Sequence, residues 1–211
     1  MATLSRPLAR AVPALALTAL LAAGGCDYFR PADPEPPGGT AIPLDYSDPD
    51  ATLRTMALGI GDKARTNGAS AYAGAFADGF QHQFWPDDVQ RWESSFGRPA
   101  PVWNVLLERN FYTQFAALRG DNYLLEWLPD DTRPDVVDLA EASIHRHYLI
   151  TTETEDSVPP GYLAVGYADL TFVKSPQGEW LITRWEDRLD PGADPNEPEQ
   201  VTLGLRRLGT Q

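Results

Sequence analysis

Gly178-Glu179-Trp180-Leu181-Ile182-Thr183-Arg184-Trp185-Glu186-Asp187-Arg188 decides the fold. Apolar and polar residues alternate along it, the period of a strand with one face against a core. Ser175-Pro176-Gln177-Gly178 comes just before it, a turn by composition. Upstream of that turn, residues 162–174 alternate in the same way. So do residues 136–152, read as one long strand or a strand bent near Glu141, and residues 122–128. Strands that follow one another with short connections imply an antiparallel meander.

Before Gly120 the period is helical. Residues 51–66 place Leu53, Met56, Ala57 and Ile60 at helical spacing, with Asp50 to cap the start and Asn67-Gly68 to end it. Residues 69–78 give a second helix with Tyr72, Ala73 and Phe76 on one side, closed by Gly79. An extended piece, Phe80 to Trp85, reaches Pro86. Residues 101–118 read as a third helix, with Val102, Leu106, Leu107, Phe111 and Phe115 along one stripe. Helices first and a meander afterwards is an α+β pattern.

The order of these elements resembles the nuclear-transport-factor-2-like (NTF2-like) superfamily, the cone shared with ketosteroid isomerases and SnoaL-type cyclases. Three stretches carry the likeness: Tyr72 through Phe76-Ala77-Asp78-Gly79-Phe80, the Trp103 to Phe115 helix ahead of the sheet, and the closing strand from Gly178 to Asp187. Together they cover most of residues 51–189. The resemblance implies helices packed on a curved, mainly antiparallel sheet with a pocket between them. It does not imply a reaction, because the superfamily holds enzymes, binding modules and assembly domains. In the ketosteroid isomerase branch an Asp just before a Pro takes the substrate proton. Here that stretch reads Phe84-Trp85-Pro86, with no carboxylate, so enolisation lacks its acceptor. Asp78 matches a common acid at the end of the second helix, a position more often local or solvated than catalytic.

The N-terminus says where the protein works. Arg6 and Arg10 precede an apolar run from Ala11 to Ala23, and Leu20-Leu21-Ala22-Ala23-Gly24-Gly25 leads to Cys26, the single cysteine. The run is too short for a transmembrane helix, which needs ~20 residues. It fits a secretory signal over residues 1–25. The stretch resembles a bacterial lipobox with Cys26 as the lipidated residue, although Ala23 stands where Leu, Val or Ile is usual. An ordinary signal peptide cut beside a cysteine is the plainer alternative. A diacylglyceryl group and a third acyl chain on Cys26 would anchor the protein stably, at ~0.8 kcal/mol per buried CH₂. With Cys26 acylated no thiol remains for disulfides, nucleophilic catalysis or metal binding. The expected location is the bacterial envelope, facing the periplasm or exterior. Asp27 resembles the enteric inner-membrane retention signal, and the choice of membrane stays open.

Residues 26–50 read as a tether, with Pro31, Pro34, Pro36, Pro37, Pro43 and Pro49 around Gly38-Gly39. Residues 190–211 begin as an acidic, Pro-rich tail, and Val201-Thr202-Leu203-Gly204-Leu205 alternates as a short strand would. Removing residues 1–25, which carry two arginines and no acid, takes the net charge from −13 to −15. Such a balance argues against nucleic acid, which needs a Lys/Arg stripe.

Candidate chemistry is sparse. Asp169 sits in an apolar strand, on the face of Leu163, Val165, Tyr167, Thr171 and Val173. It lies either at a solvated sheet end or in a pocket with a raised pKa. His145 and His147 share a strand face and with Glu141 or His82 could surround a metal, but paired histidines on a solvated face are commoner. No metal and no cofactor is therefore expected. Trp103 and Trp185 line a ligand pocket with Tyr167 and Asp169, or else fill the core as large aromatics usually do. No phosphate loop, nucleophile elbow or zinc-protease motif occurs. Three readings follow: an envelope lipoprotein binding a small apolar ligand or an envelope protein, a SnoaL-type acid–base enzyme, and a structural partner of a membrane complex, with a homodimer through the sheet as one form of assembly.

Overall fold

A computed structural model describes residues 41–61, 66–117, 122–153, 162–192 and 201–211. The signal segment, Cys26 and the tether up to residue 40 lie outside the described residues. The elements are α1 (Pro49–Gly61), α2 (Gly68–Ala73), β1 (Phe76–Gln83), α3 (Pro86–Phe96), β2 (Trp103–Asn104), α4 (Val105–Ala117), β3 (Asn122–Pro129), β4 (Val136–Val137), β5 (Glu141–Glu153), β6 (Tyr162–Lys174), β7 (Trp180–Leu189) and α5 (Leu203–Leu208). The sheet runs β2-β1-β7-β6-β5-β3, with β4 also paired to β5. Every pairing is antiparallel except β1 with β7. The fold is α+β, with the helices on a curved and mainly antiparallel sheet.

The meander forms where the period of two places it. On β5, Ala142, Ile144, Tyr148 and Ile150 are buried, and on β6, Ala164, Ala168, Leu170 and Phe172. The turn at 175–178 closes on Gly178, whose φ of 89° only glycine adopts without strain. A register shift then changes which residues of β7 face inward. Phe172 pairs with Ile182 but Thr171 with Arg184, so Thr183 is the extra residue. Trp180 and Ile182 point inward before this bulge, and Trp185 and Asp187 after it. A bulge is how a strand re-aims its side chains. Without it Asp187 would face out.

The helices depart from the expected pattern in instructive ways. Asp48, not Asp50, caps α1: its Oδ1 accepts from Ala51 N at 2.7 Å, and Pro49 takes the first helical position. Phe76 to Gln83 is a strand rather than the end of a helix, paired to β7 with an irregularity between Phe76 and Gln81. An unexpected helix, α3, begins at Pro86 with Asp87 and Asp88 in its first turn and ends at Gly97, φ 64°. Residues 101–104 are not helical; α4 starts at Val105, where Asn104 Oδ1 accepts from Leu106 N. Its inward stripe is therefore Val105, Glu108, Phe111, Tyr112 and Phe115, while Val102 is 83% and Leu106 63% exposed. The strand expected from Val201 is instead α5, capped by Thr202, whose Oγ1 accepts from Leu205 N.

Candidate functional site

Inside the curve of the sheet, where aromatic residues close the core, the protein buries a charge cluster. α5 carries Arg207 into it. Arg207 is 0% and Glu108 of α4 1% exposed. One edge of the guanidinium meets Glu108: Nε at 2.9 Å from Oε2 and Nη2 at 2.8 Å from Oε1, a bidentate fork. Its third nitrogen, Nη1, is 3.4 Å from His82 Nδ1 and 3.7 Å from Asp187 Oδ2. Its Cζ lies 4.1 Å from the centroid of the Trp185 ring, a cation–π stack. Glu108 is held by two further donors, Tyr72 OH and Trp103 Nε1, the latter at 2.6 Å.

The same cluster fastens the rest of α5. Asp187 Oδ2 accepts from Gly204 N at 2.6 Å, and Oδ1 accepts from Trp185 Nε1 at 2.7 Å. Leu203 N donates to Tyr148 OH at 2.8 Å, and the Thr202 hydroxyl donates to buried Asp88. Gly204 is required by closeness: a Cβ there would stand 2.8 Å from Asp187 Oδ2 and 3.2 Å from His82 Nε2. His82 Nε2 makes no hydrogen bond among the described residues and faces Asp187 Oδ2 at 3.6 Å.

Burial governs the titration of these groups. It pushes Asp187 up to about 7, against the pull of Arg207 and of the Trp185 hydrogen bond. It raises Asp88 despite the Thr202 hydroxyl. It lowers His82 well below its ordinary value, helped by the Arg207 charge, so the imidazole is neutral. It raises Tyr72 and Tyr148, which stay protonated. Arg207 is held charged because the carboxylates outweigh its own desolvation.

The residues singled out from the sequence fall on two faces. Trp103 and Trp185 lie in this interior, 1% and 0% exposed. Tyr167, Asp169, His145 and His147 lie on the opposite face of the sheet, so the structure does not bring the four expected pocket residues together. There His145 Nδ1 is 2.8 Å from Asp169 Oδ1, Arg133 pairs with Asp169, and Arg188 Nε donates to Asp169 at 3.1 Å. Burial works to raise Asp169, but hydrogen bonds from His145, Arg133 and Arg188 outweigh it and hold the carboxyl below its ordinary value. Arg188 also stacks on Tyr167, and His147 pairs with Asp190 at 2.8 Å. Each histidine thus has its own carboxylate, and no group of three or more potential ligands gathers for a metal among the described residues. Arg184 pairs with Glu186 and not with Asp169. Asp78 is exposed on β1.

Sequence reasoning did not single out Glu108, Asp187 or Arg207. Two signals were there: an acid among the apolar positions of α4, and a Thr cap two residues into the segment that holds Arg207. At the β1–β2 end of the sheet a surface cleft of about 410 Å³ opens between Gln81, Gln83, Phe84, Val89, Val102 and Arg184. No described helix is long and apolar enough to cross a membrane.

No family model and no curated protein matches the chain. Solved structures it is similar to include a protein of unknown function from Mycobacterium tuberculosis, at 17% identity and a TM-score of 0.48, over 76% of this chain and 82% of that one. Another is an NTF2-like protein with a cystatin-like fold from Novosphingobium aromaticivorans, at 16% identity and 0.47, over 68% and 83%. A third is a protein of unknown function with a cystatin-like fold from Nostoc punctiforme, at 12% identity and 0.46, over 72% and 97%.

Proposed function

We propose that this chain is a lipid-anchored protein of the bacterial envelope, held at Cys26, whose domain is an NTF2-like cone used for binding rather than for catalysis. One observation carries the second half: the polar groups inside the curved sheet already engage the chain's own Arg207. A small apolar ligand would have to replace a guanidinium beside two carboxylates, which the desolvation of those charges opposes. The reading therefore favours a polar ligand or a protein of the envelope. Residues 41–50, expected to belong to the tether, pack on the domain instead, with Ile42 buried and hydrogen-bonded to Asn67. The Pro-rich residues 26–40 support reach, since at ~3.1 Å per extended residue they would hold the domain a few nanometres from the bilayer.

A second reading has one observation in its favour. Asp187, with its carboxyl pushed up to about 7, and His82, whose Nε2 is 3.6 Å away, support acid–base chemistry of the SnoaL type. For that role α5 would have to leave the interior during turnover.

Metabolic labelling with an alkyne fatty acid tests the anchor. The wild-type chain should be labelled and sediment with membranes, and Cys26→Ser should be unlabelled and soluble. A Cys26→Ser chain that stays on membranes refutes the anchor. Native mass spectrometry of the membrane-extracted protein tests the module: a retained polar ligand or protein partner supports it, whereas a retained apolar small molecule contradicts it.

A further inference from the structure

The Arg207 site is built around the guanidinium rather than around α5. Everything that touches the three nitrogens belongs to other elements: Glu108 on α4, His82 on β1, Asp187 and the Trp185 ring on β7. Glu108 is oriented without help from Arg207, because Tyr72 OH and Trp103 Nε1 fix both of its oxygens. The lone pairs left over form a fork that matches a planar guanidinium and not an ammonium, which would reach one oxygen at a time. The Trp185 face selects for planarity again. His82 Nδ1 faces Nη1, and its buried Nε2, without a hydrogen bond among the described residues, is aimed at Asp187.

We propose that the interior of this domain is an alkylguanidinium-binding site, that Arg207 is its resident occupant in cis, and that its exchangeable ligand is an alkylguanidine or the arginine side chain of a partner. This rests on the binding-module reading above and names its ligand class. α5 then acts as a competitor built into the chain. An external ligand has to displace it, so its apparent affinity falls by the fraction of molecules in which α5 is seated.

The test uses the full chain carrying Arg207→Ala, with N-butylguanidine as probe and n-butylamine and N-butylurea as its ammonium and neutral counterparts. The guanidine should raise the thermal midpoint saturably at millimolar concentration and bind about tenfold tighter than the amine, the step worth roughly 1.4 kcal/mol. The urea should do nothing. Adding Glu108→Gln should erase the preference. If Arg207→Ala does not fold alone, Arg207→Lys keeps a cation in place, and recovery of its lost stability by the guanidine tests the same fork. Agmatine and an acetyl-arginine amide then separate a free metabolite from a peptide side chain. In the wild-type chain the effective ligand should raise the hydrogen exchange of the α5 amides severalfold. Equal response to guanidine and amine overturns the site; rescue of the variants without any change in wild-type α5 exchange overturns the exchangeable ligand. Neither failure touches the lipid anchor or a partner bound on the outer surface.

Discussion

Breaking the Glu108–Arg207 pair from either side should cost far more than removing both charges. Glu108→Gln leaves a guanidinium at 0% exposure without its forked counter-ion. Removing one partner of a buried pair costs about 3–5 kcal/mol, because the other charge is left uncompensated. Arg207→Met strands the Glu108 carboxylate, softened by the hydrogen bonds from Tyr72 and Trp103. For a domain of this size each kcal/mol moves Tm by about 2–4 °C, so either single variant should lose roughly 6–20 °C. In Glu108→Gln/Arg207→Met the introduced amide turns its carbonyl to accept from Trp103 Nε1 and its NH2 to donate to the Tyr72 hydroxyl, which reverses its role. The Met side chain fills the place of the Arg207 side chain against Trp185 and Phe111 without a charge. The double variant should cost no more than the milder single one, a coupling of about 3 kcal/mol, at the upper end of what contacting residues show. Urea unfolding followed by tryptophan fluorescence reads the cycle, since Trp103 and Trp185 flank the pair. Additive losses, or single losses below about 1 kcal/mol, would mean that Arg207 is not seated in the interior.

Two more outcomes follow from the same geometry. Asp187 sits at about 7 in the folded chain against an ordinary value of 3.8, so between those limits the folded state holds a proton that the unfolded state releases. Its contribution to stability is present at low pH and is lost as pH rises through that window, by up to about 4 kcal/mol. His82, lowered on folding, works the other way and costs stability as pH falls below its ordinary value. Asp187→Asn should therefore remove the loss toward neutral pH and leave the acid-side loss; urea midpoints from pH 4 to 8 with unchanged slope in the variant would contradict the assignment. Gly204→Ala should destabilise, because its Cβ would press on Asp187 and His82. A free six-residue helix would instead gain about 1 kcal/mol from the substitution, so the sign of the change in Tm decides.

The sheet was legible in the sequence because its strands are half-buried and alternate. Residues 136–152 are not one long strand: the chain breaks at residues 138–140, beside Glu141 where the alternative expectation puts a bend, and β4 folds back to pair with β5. The bulge at Thr183 was not legible: strict alternation from Trp180 predicts Asp187 outside, and only the partner strand β6 fixes the extra residue. α3 was overlooked although Pro86, Asp87, Asp88 and Gly97 mark both its ends; its buried residues, Asp88 and Trp92, make too weak a stripe. Starting the third helix at Pro101 rotated its face and hid Glu108. Alternation puts Asp169 and Tyr167 on one face of β6, but it does not tell which face is inside: theirs is the outer one, with the ion-pair network of Arg133 and Arg188, and not a pocket lining. The alternation of Val201 to Leu205 suited a strand, yet the Thr202 cap and the seat for Arg207 made a helix. A pairing between residues 99 apart in the chain, such as Arg207 with Glu108, leaves no local trace in a sequence.

Hydrogen exchange of the full-length chain tests the central claim, that the interior is closed by the chain's own C-terminal helix. The N–H groups of Leu203, Gly204 and Leu205 donate to Tyr148, Asp187 and Thr202 in buried or half-buried settings. They should exchange as slowly as the core strands β5 to β7, and Glu108→Gln should speed them while β5 and β6 stay protected. Exchange of those three amides at the rate of an open chain end in the wild-type protein would contradict the account.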